Sequence, residues 1–284
     1  MTRWIDSDTL IRDLASAEIA LHELDALFDE CLPFWRGHAN KDWELRPRAF
    51  RPLCGPEGAA VVGADGGPTF LPESSVLWHF VMRATPRHND LPDWDDRLGW
   101  LLLAQHYGLP TRFLDWTRSL SMALFFAVED EALDEKDGCL WALWTQEMNR
   151  HQVSQDGLVT PEDPALQGML DAAFGRRASP KVMQRSAAPE PGPKDVMSLP
   201  GVLATAARQT DLRMMVQQSH FTVHGINKDL RAISFPVPVL VRYVIPAERK
   251  AGVREVLKRI GVTRSIVYPD LHSLAREIRE GRYT

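Results

Sequence analysis

Three segments of the chain concentrate groups able to do chemistry. The first is Phe34-Trp35-Arg36-Gly37. A single arginine in an apolar strand needs a partner, because burying its charge alone is very costly. Its planar fork suits a phosphate, a carboxylate or a ribose edge. Pairing with Asp115 to tie two elements together accounts for it equally well. Gly37 lets the backbone turn closely past. The second segment runs from Gln105 to Thr117, Gln-His-Tyr-Gly-Leu-Pro-Thr-Arg-Phe-Leu-Asp-Trp-Thr. His106 and Tyr107 fall where a helix ends, with Gly108 able to take a positive φ. Beyond them alternation places Thr111, Phe113, Asp115 and Thr117 on one side, and Arg112, Leu114 and Trp116 on the other. Asp115 and Thr117 are also placed to cap a helix starting near Ser119, a purely structural role. The third segment spans Arg213 to His224, where Gln217 and Gln218 lead into a strand-like Phe-Thr-Val. His220 and His224 lie four apart but not on a helix, and no third ligand is in view, so zinc is not expected. No dinucleotide fingerprint, phosphate-binding loop, nucleophile elbow or HExxH pair is present.

The elements that must position these groups follow from periodicity and punctuation. Helical spacing is expected over 8–30, 73–87, 93–107, 119–129 and 165–174, and in basic amphipathic helices over 247–260 and 271–280. Strands are expected over 32–37, 138–145 and 237–245. This mixed order argues for an α+β fold of mixed small sheets flanked by helices. Residues 55–68, with five glycines and two prolines, read as a loop excursion. Residues 150–200 read as a Pro-rich insert, with a flexible linker at Pro189–Lys194. The rest forms one domain spanning 1–284.

The chain has 284 residues, 44% of them apolar and 25% charged, with a formal charge of −5, the balance of a soluble globular protein. No apolar run approaches the roughly 18 residues of a membrane span, and no signal-peptide pattern opens the chain. The three scattered cysteines, Cys31, Cys54 and Cys139, make neither a disulfide frame nor a metal pair. A cytoplasmic protein with no membrane partner is expected. Eight of the nine tryptophans fall between Trp35 and Trp144, which implies either an aromatic core or a pocket with rigid walls. From Lys228 onward the chain is basic. That face could meet nucleic acid, although such a pattern is more often a solvated helix surface.

Together these segments resemble the FRG domain family, named for a Phe/Tyr-Arg-Gly motif, here Trp35-Arg36-Gly37. Trp43-Glu44-Leu45-Arg46-Pro47 is similar to its Trp-x-Leu-x-Pro element, and Gln105 to Thr117 to its QHYGLPTRLLDWT core, with Phe113 in place of leucine. Ala123 to Ala127, Arg213 with Gln217, Gln218, Phe221 and Thr222, and Tyr268 to Leu271 resemble its later blocks. The motif order is distantly similar to that of ADP-ribosyltransferases. What this implies is a NAD-using transferase or NAD-cleaving effector of a bacterial toxin or phage-defence setting, with NAD as substrate and no metal. Arg36 would grip the ribose or pyrophosphate, and Thr117 would support the nicotinamide ribose. Gln217 or Gln218 would take the catalytic place, with Asp115 supplying charge. Trp35, Gly37, His106, Tyr107, Arg112 and Trp116 would line the pocket. The acceptor would be protein, nucleic acid or water. The alternatives are a non-catalytic nucleotide-sensing or interaction module, and a nucleic-acid-directed enzyme or binder.

Overall fold

The alternation of Phe34, Arg36 and His38 with Trp35 and Gly37 is that of a strand with two different faces. In the computed structural model this segment belongs to a seven-stranded mixed sheet. Residues 4–28, 32–55, 59–87, 89–175, 201–206, 209, 211–226 and 229–281 are described. The strands are β1 (Ile5–Asp6), β2 (Phe34–His38), β3 (Phe113–Thr117), β4 (Gly138–Leu143), β5 (Val202–Thr205), β6 (Ser219–His224) and β7 (Leu240–Ile245). Their order is β1-β7-β4-β2-β3-β6-β5. β1 runs parallel to β7, and every other neighbouring pair is antiparallel.

The helices are α1 (Leu14–Phe28), α2 (Glu73–Ala84), α3 (Arg97–His106), α4 (Leu120–Val128), α5 (Thr145–Val153), α6 (Pro164–Ala173), α7 (Leu212–Val216), α8 (Lys250–Arg259), α9 (Arg264–Val267) and α10 (Leu271–Arg279). The expected α+β class holds, and strands that look separate in the sequence join in one sheet. Period-two alternation divides the core. Trp35, Leu140, Ala142, Val241 and Tyr243 pack against α1, α4 and α8. Phe34, Leu114, Trp116, Trp141 and Leu143 face the opposite layer with Phe235 and Leu230. A third cluster joins α2, α3 and α6 to Phe113, Phe221 and Val223. Trp35, Trp100, Trp116 and Trp141 are thus divided among all three clusters as buried core.

Several boundaries differ from the sequence reading for local reasons. The first helix starts at Leu14, not residue 8. Asp13 caps it by accepting the Ser16 N–H at 2.8 Å, and the preceding chain runs extended along β7, with the Ile11 N–H on Val244 O at 2.9 Å. α3 starts at Arg97 because Asp96 caps it through the Gly99 N–H at 2.9 Å. Pro238 sits ahead of β7, which is an interior strand. The 55–68 excursion carries backbone bridges from Cys54 to Ala60 and from Val62 to Pro68. Within 150–200, α6 is ordered and Val159 bridges to Thr205 of β5. The linker at Pro189–Lys194 and Cys31 lie outside the described residues.

Gly37 does not serve a turn. It lies inside β2, where α4 comes down on the strand. A Cβ there would stand 1.9 Å from the Ala123 carbonyl oxygen and 2.7 Å from the Ala127 nitrogen, so only glycine allows this approach. Gly37→Ala must therefore push the α4 backbone away, with a loss at or above the roughly 1–3 kcal/mol of an overpacked core. Urea unfolding of the variant measures it, and an unchanged midpoint would contradict the packing.

Candidate functional site

β2 and β3 share one register pair, Trp35 with Thr117, and then part. The side chain of Arg36 fills the opening. Its Nη1 donates to the Asp115 carbonyl at 2.6 Å, and its Nε donates to His38 Nε2 at 2.9 Å, two residues along the same face of β2. A guanidinium only donates, so His38 Nε2 must present a lone pair and its proton sits on Nδ1. Burial and the charge of Arg36 both hold the His38 pKa well below its ordinary value. Burial pulls Arg36 down to about 10, against the raising influence of the Asp115 carboxylate, and it is still a cation at neutral pH. Two of its five N–H groups are engaged, which leaves three for a ligand.

Arg36 lines a cleft of about 400 Å³. The opposite wall comes from the end of α3 and the chain that Gly108, at φ +79°, turns back into β3. A polarised hydrogen-bond chain runs along this wall. Gln105 Nε2 donates to both Asp115 carboxylate oxygens, at 3.0 and 2.9 Å. A carboxylate only accepts, so the Gln105 amide has one orientation, with its oxygen toward Thr111. The Thr111 hydroxyl donates to that oxygen and accepts the Phe113 N–H at 3.3 Å. Asp115 is therefore held by an amide, while Arg36 takes its backbone carbonyl. The side-chain ion pair considered for Arg36 and Asp115 does not form.

Arg36, Gly37, Trp35, His106, Asp115, Trp116, Thr117 and Gln217 line this one cleft. Several do so in roles other than those expected. The Thr117 hydroxyl donates to the Gln217 carbonyl at 2.6 Å and accepts the Ser119 N–H at 2.9 Å. The Gln217 amide turns to Val267 O at 3.0 Å. Trp35 and Trp116 are buried in the core, the Trp116 indole donating to Thr222 at 3.0 Å, so neither ring stands free for stacking. His106 pairs through Nδ1 with Asp211 at 3.1 Å. Asp115 does not cap α4. Ser119 does, through the Met122 N–H.

Three expected residues lie off the cleft. Arg112 is buried in an ion pair with Glu73, Nη2 to Oε2 at 2.7 Å, and also donates to Met169 O at 2.8 Å. It ties β3 to the start of α2 and to α6. Tyr107 faces an apolar groove between α2 and α3, beside Phe80. Gln218 is exposed at φ +47°, its carbonyl accepting the Arg118 N–H.

The cleft also holds Gln105 and Arg213, which belong to the motif segments but were given no role there, and Arg48, which lies outside them. Gln105 stands inside the central motif, but its partner is reached only through the Gly108 turn. The basic C-terminal flank is largely matched by carboxylates: Arg242 with Asp6, Arg254 with Asp134, Arg264 with Glu129 and Arg276 with Glu280. Lys250 is buried on the carbonyls of Ala39 and Leu133. Among the described residues no group of three His, Cys, Asp or Glu could hold a metal, and no helix is long and apolar enough to cross a membrane.

The family model of the FRG domain matches residues 33–136, a little over a third of the chain. No curated protein and no solved structure matches the chain.

Two outcomes follow for stability. Glu73→Ala strands the buried Arg112 charge, with an expected loss of about 3–5 kcal/mol in a denaturant titration. Burial also pulls His224 down to about 3. With His38 and His224 both depressed, the unfolded chain binds more protons than the folded one below its ordinary histidine value of about 6.5. Their contribution is complete above that pH and declines as pH falls toward the folded values, by up to about 1.4 kcal/mol per pH unit for each histidine. Unfolding midpoints between about pH 7 and pH 5 should fall with acid, and less steeply in His38→Gln. Identical slopes would refute the neutral His38.

Proposed function

We propose that the cleft binds a nucleotide of the NAD class and promotes cleavage of its ribose–nicotinamide bond, as an ADP-ribosyltransferase-like or NAD-cleaving effector. The observation that carries this reading is that the Arg36 fork, held by neutral partners, and the Asp115 carboxylate, held by Gln105, face one cleft of about 400 Å³. Such a volume suits a small-molecule ligand. In the reaction the C1′–N bond breaks, its electron pair leaves on the nicotinamide nitrogen, and positive charge develops on the ribosyl group. A fixed carboxylate beside that carbon stabilises the charge as it forms. Water or an acceptor nucleophile then bonds to C1′ and releases its proton to Asp115 or to solvent.

On this reading Asp115 takes the role first considered for Gln217 and Gln218, whose amides point elsewhere or could not supply charge. Arg36 grips the ribose or pyrophosphate. The FRG resemblance supports placing the activity in a cytoplasmic bacterial toxin or defence setting, with a protein, a nucleic acid or water as acceptor. A second reading, a nucleotide sensor without turnover, draws on the Thr117 hydroxyl being already engaged. The ion-paired basic flank speaks against a nucleic-acid binder.

Incubation with NAD separates these. The expected result is nicotinamide release that falls by about 100-fold or more in Asp115→Asn and in Arg36→Ala. Asp115→Asn should keep NAD-dependent thermal stabilisation. Stabilisation of the wild type without release establishes the sensor reading. Neither effect at millimolar NAD removes the nucleotide reading.

A further inference from the structure

The charges on the cleft are unequal. Its lining carries three guanidiniums, Arg36, Arg48 and Arg213, against a single carboxylate, Asp115. Elsewhere the fold matches arginine to carboxylate repeatedly, as in Arg97 with Asp171, Arg112 with Glu73, Arg231 with Asp229 and Arg254 with Asp134. None of the three cleft arginines has such a partner among the described residues. Each is held by a neutral group. Arg36 has a carbonyl and an imidazole. Arg48 donates through Nη1 to the Gly108 carbonyl at 3.1 Å. Arg213 stacks on the Tyr268 ring, 5.0 Å from its centroid. The nearby Glu129 has its two oxygens on the Tyr268 hydroxyl and Arg264, at 2.7 and 3.2 Å.

Neutral partners fix the position of a guanidinium without cancelling its charge, and they leave N–H groups unused. Arg48 stands in a cluster of like charge: Arg51, on the Arg46 carbonyl at 2.8 Å, is depressed by burial and then by Arg48. Arg51 in turn lowers Arg36. An anion entering among them would relieve that repulsion and complete the fork geometry that guanidiniums share with phosphate oxygens.

We infer that Arg48 and Arg213, from opposite ends of the sequence, form a phosphate subsite of the cleft that selects ligands bearing a diphosphate. Arg36 lines the same cleft, on the Asp115 carbonyl. Unphosphorylated nucleosides lack the group that engages the subsite and are excluded as good ligands. The inference deepens the nucleotide reading and rests on it for the remainder of the ligand, but its test needs no turnover.

The probe is inorganic pyrophosphate, titrated calorimetrically into the full chain at constant ionic strength. One-site binding is expected, weakened about 10-fold or more by Arg48→Gln and by Arg213→Gln, as the loss of charge-assisted hydrogen bonds requires. Arg259→Gln, an exposed arginine on Glu255 away from the cleft, should leave it unchanged. If a glutamine variant does not fold, Arg48→Lys and Arg213→Lys keep the charge and should still bind several-fold more weakly, because a point charge does not replace the fork. Absence of pyrophosphate binding by the wild type at about 10 mM, or equal binding by the double variant, overturns the inference; 10 mM is weak even for a free anion site. If pyrophosphate binds through these arginines and NAD is not cleaved, the subsite stands and the NAD reading falls. If NAD is cleaved and pyrophosphate neither binds nor competes, the subsite alone falls.

Discussion

A cation stands at the centre of the sheet, where β2 leaves β3 and the ladder opens after one pair. Removing a guanidinium from water is tolerable only when its donors find acceptors. Arg36 finds two that are uncharged, the Asp115 carbonyl and the His38 imidazole. The bond to the carbonyl replaces the cross-strand contact that the parted strands forgo. The bond to His38 requires a neutral ring, which its buried position beside a cation enforces. Gly37 adds the other half of the constraint. It turns to the opposite face of the strand, where its missing side chain lets α4 lie on the β2 backbone. The arginine and the glycine are adjacent because one position must reach across the opening while the next must leave no bulk behind it.

Arg36 and Arg112 show how similar residues are given different tasks. Arg112 has a carboxylate on its fork, a carbonyl on Nη1 and the Phe50 ring 6.0 Å away, so its charge and donors are engaged within the protein. It holds three elements together and offers nothing to a ligand. Arg36 is fixed as firmly, but by dipoles, and its charge is left to act on whatever enters the cleft. The aspartate opposite is treated in parallel. Gln105 holds the Asp115 carboxylate with a neutral amide, and Thr111 fixes which end of that amide faces it. Both charges are positioned without being neutralised, an arrangement suited to electrostatic work on a bound molecule.

Much of this was legible in the sequence, and the rest was not for definite reasons. Alternation marked β3, and short apolar runs marked β2 and β4, the last of which is buried along its whole length. The apolar run of α4 was equally plain. The meeting of Arg36 with Asp115 in one cleft could be expected from their types. Their actual bond could not, since a backbone carbonyl carries no sequence signal. Arg112 looked as available as Arg36. Only the return of α2 against β3 shows Glu73 beside it, 39 residues away in the chain. Gly37 looked like a turn residue because a glycine's freedom and its lack of bulk are indistinguishable in a sequence. The first helix was placed too early because apolar spacing ran past the capping Asp13, and α3 because its run of acidic residues begins at Asp93, ahead of the capping Asp96.

The order of the strands explains why the site draws on more than the matched family segment. Residues 33–136 contain β2 and β3, the centre of the sheet, with Arg36, Arg48, Gln105 and Asp115. The strands that flank them come later in the chain, β4 beside β2 and β6 beside β3. The same late segment that delivers β6 carries α7, and with it Arg213 and Gln217, to the cleft. Its attachment is specific. Asp211 caps α7 through the Met214 N–H at 2.8 Å while its other oxygen holds His106 at the end of α3. On the opposite side the Gln217 carbonyl takes the Thr117 hydroxyl. The wall bearing Arg213 is therefore bonded at both ends to the wall bearing Asp115. The spacing between the cations and the carboxylate is a property of the assembled sheet, not of either segment alone.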